Sequence, residues 1–335
     1  MSIAGAPAEG RAAVVMNGRG PFLGVTMKIL IAYDGSDCSD AALDDLRYAG
    51  LPQAAEVLVL SAGEINSQSP TLAALAVGSG YYFPDDSQVE ALNDQQRDES
   101  GKLSARAVDR LGAAFPKWHV ESEGIVDMAE SAIVGKAASW KPDLLVVGSH
   151  GRSGFRRFFL GSVSLYVLNH TRCSVRIGRR YPHAHNGPIR ILVGADRSPD
   201  AAAALRAVAA RHWPKGTEAR VVSVLDSRSI LLESGAEVSE PMIAPVVVNE
   251  LRNRVSETIQ RAAQKLADSG LLAEAQVLEG NPGLVLVAEA EQWDADCIFV
   301  GAGGLNAFER FFHGSVCTTV GERAHCSVEV VREPA

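Results

Sequence analysis

Apolar and polar positions follow one another along this chain in blocks that predict strand, helix, strand, helix, and the whole order of blocks occurs twice. Lys28 to Ala32 holds Ile29, Leu30 and Ile31 without a polar break and leads into Asp34; Arg190 to Gly194 holds Ile191, Leu192 and Val193 and leads into Asp196. Unbroken aliphatic runs of this length predict strands buried on both faces, as in parallel sheets. Two residues past each aspartate stands a serine, Ser36 or Ser198, before an alanine-rich stretch, which predicts a helix N-cap. Second strands are expected at 56–61 and 220–225, amphipathic helices at 100–114 and 255–268, and third strands at 119–123 and 274–279. Fourth strands at Leu144–Val147 and Ile298–Val300, last helices at 162–170 and 315–324, and last strands at 174–177 and 327–331 complete each half.

Strands alternating with helices predict two open parallel α/β sheets of five strands, with right-handed crossovers. The expected division is an unstructured tail over 1–26, a first domain over 27–178, an aperiodic linker over 179–188 and a second domain over 189–333. Corresponding loops of the two halves are displaced by 153 residues, but the two first aspartates by 162, so the first half carries an earlier insertion. The Gly/Ser/Pro-rich stretch 66–87 is a candidate, either a loop over the first site or a solvated excursion. The last strands would be apolar sheet edges, and such edges seek partners. Pairing with each other gives an internal pseudo-two-fold dimer; a further homodimer stays open.

Composition removes several classes of partner. The formal net charge is -8, so no overall field favours nucleic acid or an anionic membrane, and neither is expected as a partner. Five widely spaced cysteines without a CxxC pair argue against a disulfide framework or a zinc site. No apolar run is long enough to span a bilayer, and no signal pattern opens the chain, so a cytoplasmic location is expected.

The chemistry concentrates in a glycine pattern that also occurs twice. Gly148, Gly151 and Gly161-Ser162 follow the fourth strand of the first half; Gly301, Gly304 and Gly314-Ser315 follow that of the second. Glycines at a strand-to-helix junction let the backbone approach a ligand, and the amides of the following helix start favour an anion. The same residues also admit blander readings: glycines that only turn and pack, aspartates that only cap. No Walker motif, metal-ligand cluster or Ser-His-Asp arrangement stands out. His150, with no paired nucleophile in reach, is assigned to shaping the loop, and any hydrolysis is expected to be slow.

With Asp34 ending strand one, the phrase from Asp143 to Gly151 and the spacing through Gly161-Ser162, the chain resembles the universal stress protein family in its tandem form, from Met27 to Arg332. The resemblance implies Rossmann-like domains of the adenine-nucleotide-binding type, pairing through the last strand, and ATP binding, with Mg²⁺ arriving on the phosphates. It implies that Ala32, Tyr33, Asp34 and Ala62 surround the adenosine. Gly148, His150 and Gly151 would then shape the loop, and Gly161, Ser162, Val163 and Ser164 would face the phosphates. In the second half the matching residues are Gly194, Ala195, Asp196, Val224, Gly301, Gly303, Gly304, Gly314, Ser315, Val316 and Cys317. Ala302-Gly303 replaces Ser149-His150, and Cys317 replaces Ser164. The first spacer carries Arg152, Arg156 and Arg157, against Glu309, Arg310 and His313 in the second, so tighter binding is expected at the first site. The functional expectation is an ATP-binding stress or signalling protein whose occupancy sets conformation or the choice of an unidentified protein partner. A slow ATPase or phosphotransferase and an interaction protein with non-functional sites are the alternatives.

Overall fold

The computed structural model describes residues 26–63, 86–151, 160–179, 188–226, 245–303 and 315–333. The expected tail, nearly all of the stretch 66–87 and most of the expected linker lie outside these residues. In the first half, β1 (Met27–Ala32), α1 (Asp37–Asp45), β2 (Ala55–Gly63), α2 (Asp86–Ala114), β3 (His119–Val126), α3 (Ala129–Trp140), β4 (Leu144–Gly148), α4 (Ser162–His170) and β5 (Ser174–Gly178) follow in order. The second half repeats them as β6 (Arg190–Gly194), α5 (Pro199–Ala209), β7 (Glu218–Leu225), α6 (Pro245–Asp268), β8 (Leu272–Glu279), α7 (Pro282–Gln292), β9 (Cys297–Gly301), α8 (Ser315–Arg323) and β10 (Ser327–Val331). Ser36 and Ser198 are the N-caps of α1 and α5, each accepting a hydrogen bond from the backbone N–H three residues on.

Helix α2 starts well before the expected Ser100, and α6 before Val255. The early turns of α2 are largely solvent-facing, so no apolar stripe marks them. They hold together through helix propensity and pairs such as Arg97–Asp94 and Gln95–Glu99.

All ten strands form one sheet in the order β3-β2-β1-β4-β5-β10-β9-β6-β7-β8. Every pairing is parallel except β5 with β10, the seam between the halves. The expected pairing of the last strands is therefore what joins the two domains. Register locates the inserted residues: Glu218 follows Glu56 by 162 positions, but Leu272 follows His119 by 153, so the extra length lies between β2 and β3.

The seam is clasped reciprocally. Arg179 donates to the carbonyls of Cys326 and Gly321, and its amide to Ser327 Oγ. Arg332, its counterpart 153 residues later, donates to the carbonyls of Cys173 and Leu168, and its amide to Ser174 Oγ. One hydrophobic core runs under α3, α4, α7 and α8 across both halves, from Leu30 and Leu145 to Ile298 and Val328. On the opposite face each half has its own core, with Ile29, Val57 and Leu111 in the first and Ile191, Val221 and Phe299 in the second. The pairing thus buries a continuous apolar face that neither half could cover alone.

Candidate functional site

In the first half the carboxyl ends of β1 and β4 lie side by side, and the glycine loop leaves from the second of them. Asp34 is held in a tight turn: its Oδ1 accepts the amide of Ser36 at 3.0 Å, and Gly35 supplies a φ of +74°. A Cβ at Gly35 would stand 2.8 Å from Leu103 Cδ2, so both conformation and space call for glycine there. The second carboxylate oxygen of Asp34 faces Gly151, where an added Cβ would lie 3.2 Å from it. At Gly148 a Cβ would come 2.9 Å from the carbonyl carbon of Cys38, so the start of α1 rests directly on the strand end. The Gly161 amide donates to the Ser149 carbonyl at 2.8 Å and closes the loop at its base. Residues 152–159 of the loop, with Arg152, Arg156 and Arg157, lie outside the described residues.

These contacts bring Asp34, Gly148, Gly151 and Gly161 together at one edge of the sheet. The first-turn amides of Ser162, Val163 and Ser164 have no partner within α4, as at any helix start. The Ser164 hydroxyl is turned inward and donates to the Gly148 carbonyl at 2.7 Å, so it pins the helix to the strand. His150 places Nδ1 3.2 Å from Ser149 Oγ, while its Nε2 is closed off from solvent with no hydrogen-bond partner among the described residues. Burial, and then the Arg179 charge, hold the imidazole below its ordinary pKa. Ala32 and Val163 border the shared core, and Ala62 lies half-buried near the end of β2.

Tyr33 is not with them. Its ring lies in the opposite core and its hydroxyl donates to Asp40 Oδ1 at 2.7 Å. Burial, reinforced by that hydrogen bond, pushes its pKa up to about 12. Only the backbone of Tyr33 reaches the site edge, where its amide and carbonyl bond to β2.

The second half repeats the frame with altered chemistry. Asp196 Oδ1 accepts both the amide and the hydroxyl of Ser198. A Cβ at Gly301 would lie 2.4 Å from the carbonyl carbon of Asp200, the same approach of helix to strand. Cys317 repeats the inward contact of Ser164, with Sγ 2.9 Å from the Gly301 carbonyl, and burial pushes its thiol up to about 12. Gly194 stands against Leu286 and Val300, Val224 and Val316 border the shared core, and Ala195 sits in the separate core, as Tyr33 does. Gly304 and Gly314 lie outside the described residues, as do Glu309, Arg310 and His313; of Ser315 only the start of α8 is described.

One site residue has no sequence signal beyond its place in the repeat. The amide of Gly303, the counterpart of His150, donates to Asp200 Oδ2 at 2.9 Å. Asp200 is two residues past the N-cap Ser198 and reads from sequence as an ordinary dipole-compensating acid. The first half has Cys38 in its place. A carboxylate thus occupies the second loop where the first has a thiol.

Among the described residues no group of three His, Cys, Asp or Glu side chains could hold a metal, and no helix is long and apolar enough to cross a membrane.

The model of the universal stress protein family matches this chain twice, over residues 26–179 and 189–332. A universal stress protein of Synechocystis sp. is 30% identical over 156 residues, covering 45% of this chain and 96% of that protein. Universal stress protein YxiE of Bacillus subtilis is 31% identical over 154 residues, 45% of this chain and 98% of its own. Among solved structures, a universal stress protein from Archaeoglobus fulgidus superposes over 92% of this chain and 98% of its own with a TM-score of 0.60, at 21% identity, a likeness of fold.

Proposed function

The chain belongs to the universal stress protein family, with two copies of the domain in one polypeptide, and we propose that it is an ATP-binding stress or signalling protein whose first half carries the working site. The observation that carries this reading is the convergence of Asp34, Gly151 and the Gly161–Ser149 closure at the carboxyl ends of β1 and β4. Ligands of open α/β sheets bind at that end of the strands. Asp34 offers a carboxylate suited to ribose hydroxyls, the amides at the start of α4 offer donors to phosphate, and Ala32 and Ala62 leave room for a base. His150 Nε2, buried without a partner among the described residues, fits a site completed by a ligand acceptor.

The second half fits an anionic ligand less well. Asp200 already takes the Gly303 amide, and a phosphate placed there would meet a carboxylate. Its contribution is read as weaker nucleotide binding or none, and Ala195, Asp196, Val224, Gly301, Gly303, Gly304, Gly314, Ser315, Val316 and Cys317 as a degenerate copy of the site. We take the domains as 27–178 and 189–333 and the location as cytoplasmic; Mg²⁺ would arrive with the phosphates.

The test is denaturing release of small molecules from freshly purified protein, followed by titration of the stripped protein with ATP and Mg²⁺. The expected result is about one nucleotide per chain, lost in Gly161→Glu and kept in Gly314→Glu. No nucleotide released and none taken up would end the ATP reading and leave the loops as structural elements.

A further inference from the structure

The two halves differ most where the helices over the separate cores meet. In the first half a polar clasp ties α1 to α2. Tyr33 donates to Asp40, and Arg110 pairs with Asp40 at 2.7 Å and with Asp44 at 2.8 Å. The register of β1 and β6 places Ala195 at Tyr33, Ala202 at Asp40 and Arg206 at Asp44. Along the partner helix, buried Ser100, Ser104 and Leu111 correspond to buried Val255, Ile259 and Leu266, and Arg106-Ala107 to Arg261-Ala262, which places Lys265 at Arg110. Alanine has thus replaced the tyrosine and one of the two acids of the clasp, arginine the other acid, and lysine the arginine.

Between α5 and α6 this leaves a cavity of about 570 Å³, which runs from Ala195 and Ser198 to Ala209 and Leu266. Its walls are apolar, with Ala202, Leu205, Val255, Ile259 and Ala262 among them. Among the described residues its charged lining is one-sided: Arg197, Arg206, Arg261 and Lys265 against Asp196. Both helices start at the carboxyl side of the sheet, so Asp196 and Arg197 stand at the upper end while Arg206, Arg261 and Lys265 belong to the lower half. Arg206 also pairs at the surface with Glu333.

We propose that this groove is a binding site for a straight-chain carboxylate of about ten to fourteen carbons, a size suited to the volume of an ordinary ligand pocket. The chain would lie along the alanine-lined walls, where each buried methylene leaves water. The head group would lie low, among Arg206, Arg261 and Lys265, where three cations line the groove, whereas at the upper end the charge of Arg197 is offset by Asp196 beside it. The inference does not rest on the ATP reading, since the cavity lies on the opposite face of the sheet from the helix that follows the glycine loop.

The experiment is calorimetric titration of the full-length protein with dodecanoate below its micellar range, with dodecanol as the uncharged comparison. The wild type is expected to bind one dodecanoate per chain and dodecanol more weakly. Installing the first half's clasp with Ala195→Tyr, Ala202→Asp and Lys265→Arg is expected to weaken binding at least about twentyfold by filling the groove. Because that variant carries a folding risk, Arg261→Glu with Lys265→Glu provides a second arm. Both residues are exposed, and the pair is expected to weaken dodecanoate about tenfold while changing dodecanol little. Gly161→Glu, aimed at the nucleotide loop, is expected to leave dodecanoate binding intact. Wild-type affinity in a folded clasp variant, or no response to the charge reversal, would overturn the proposal. So would a wild type that takes up no dodecanoate.

Discussion

Arg176 and Glu329 hold the same position in the two halves, 153 residues apart, and face each other across the seam with Nη1 3.1 Å from Oε2. The pseudo-two-fold axis therefore passes between an arginine and a glutamate, each about 1% exposed. Asp45 grips Arg176 through two hydrogen bonds of 2.6 and 3.0 Å, and Arg211 pairs with Glu329, so four buried charges cancel. Two first halves paired the same way would set arginine against arginine.

From that arrangement, Glu329→Gln is expected to cost about 3 kcal/mol of stability, because it leaves the Arg211 guanidinium without its carboxylate in a dry seam. Adding Arg176→Met should cost clearly less than the two single losses together. Urea unfolding of the full chain measures all three variants; strict additivity would show that the two residues do not act as a pair.

Exchanging one side chain between the loops should exchange their affinities. Cys38→Asp places a carboxylate where the second half has Asp200, and is expected to weaken ATP at the first site by about tenfold. Asp200→Cys frees the Gly303 amide and should strengthen the second by a similar factor. Equilibrium titration of each variant, with the other site blocked by Gly161→Glu or Gly314→Glu, separates the two; unchanged affinity in Cys38→Asp would refute the electrostatic account.

The glycines of the first loop should divide by what their missing side chains would meet. Gly148→Ala drives a methyl into the backbone of Cys38 and is expected to lower stability by about 1–3 kcal/mol. Among the described residues Gly151→Ala meets only the Asp34 carboxylate, so the melting temperature should hold while ATP affinity drops about tenfold. Thermal melts beside titrations test the split, and a stable Gly148→Ala protein would mean that α1 yields more readily than its packing implies.

His150 gives the ligand-free protein a pH signature. Its folded pKa lies below the ordinary 6.5, so between those two values the unfolded chain binds more protons. Stability contributed by the neutral imidazole is thus present above 6.5 and is lost as pH falls toward the folded value. His150→Gln should flatten that part of the profile, and ATP, whose phosphates favour imidazolium, should flatten it in the wild type. Identical slopes with and without His150 would assign the dependence to other groups.

The fold was legible because buried parallel strands write themselves as aliphatic runs: Ile29 to Ile31 and Leu144 to Val147 sit fully buried where the pattern predicted. Ser36 and Ser198 announced their helices through capping chemistry that is local in sequence. What sequence did not reveal depends on which face a side chain takes or on partners far along the chain. Tyr33 follows directly on β1, yet its ring goes to the face opposite the shared core. The Ser164 hydroxyl looked available to a ligand until the Gly148 carbonyl was found 2.7 Å away. Asp200 looked like a helix-start acid, and only the fold shows that it reaches a loop amide 103 residues later. The early turns of α2 escaped because an exposed helix carries no apolar stripe.

The antiparallel seam has one more consequence. Because β5 and β10 run in opposite directions within an otherwise parallel sheet, the strand ends that carry the first glycine loop point one way and those that carry the second point the other. The chain is two-headed: the strand ends of its two halves open at opposite edges of one ten-stranded sheet, so a body set against one mouth leaves the other facing away.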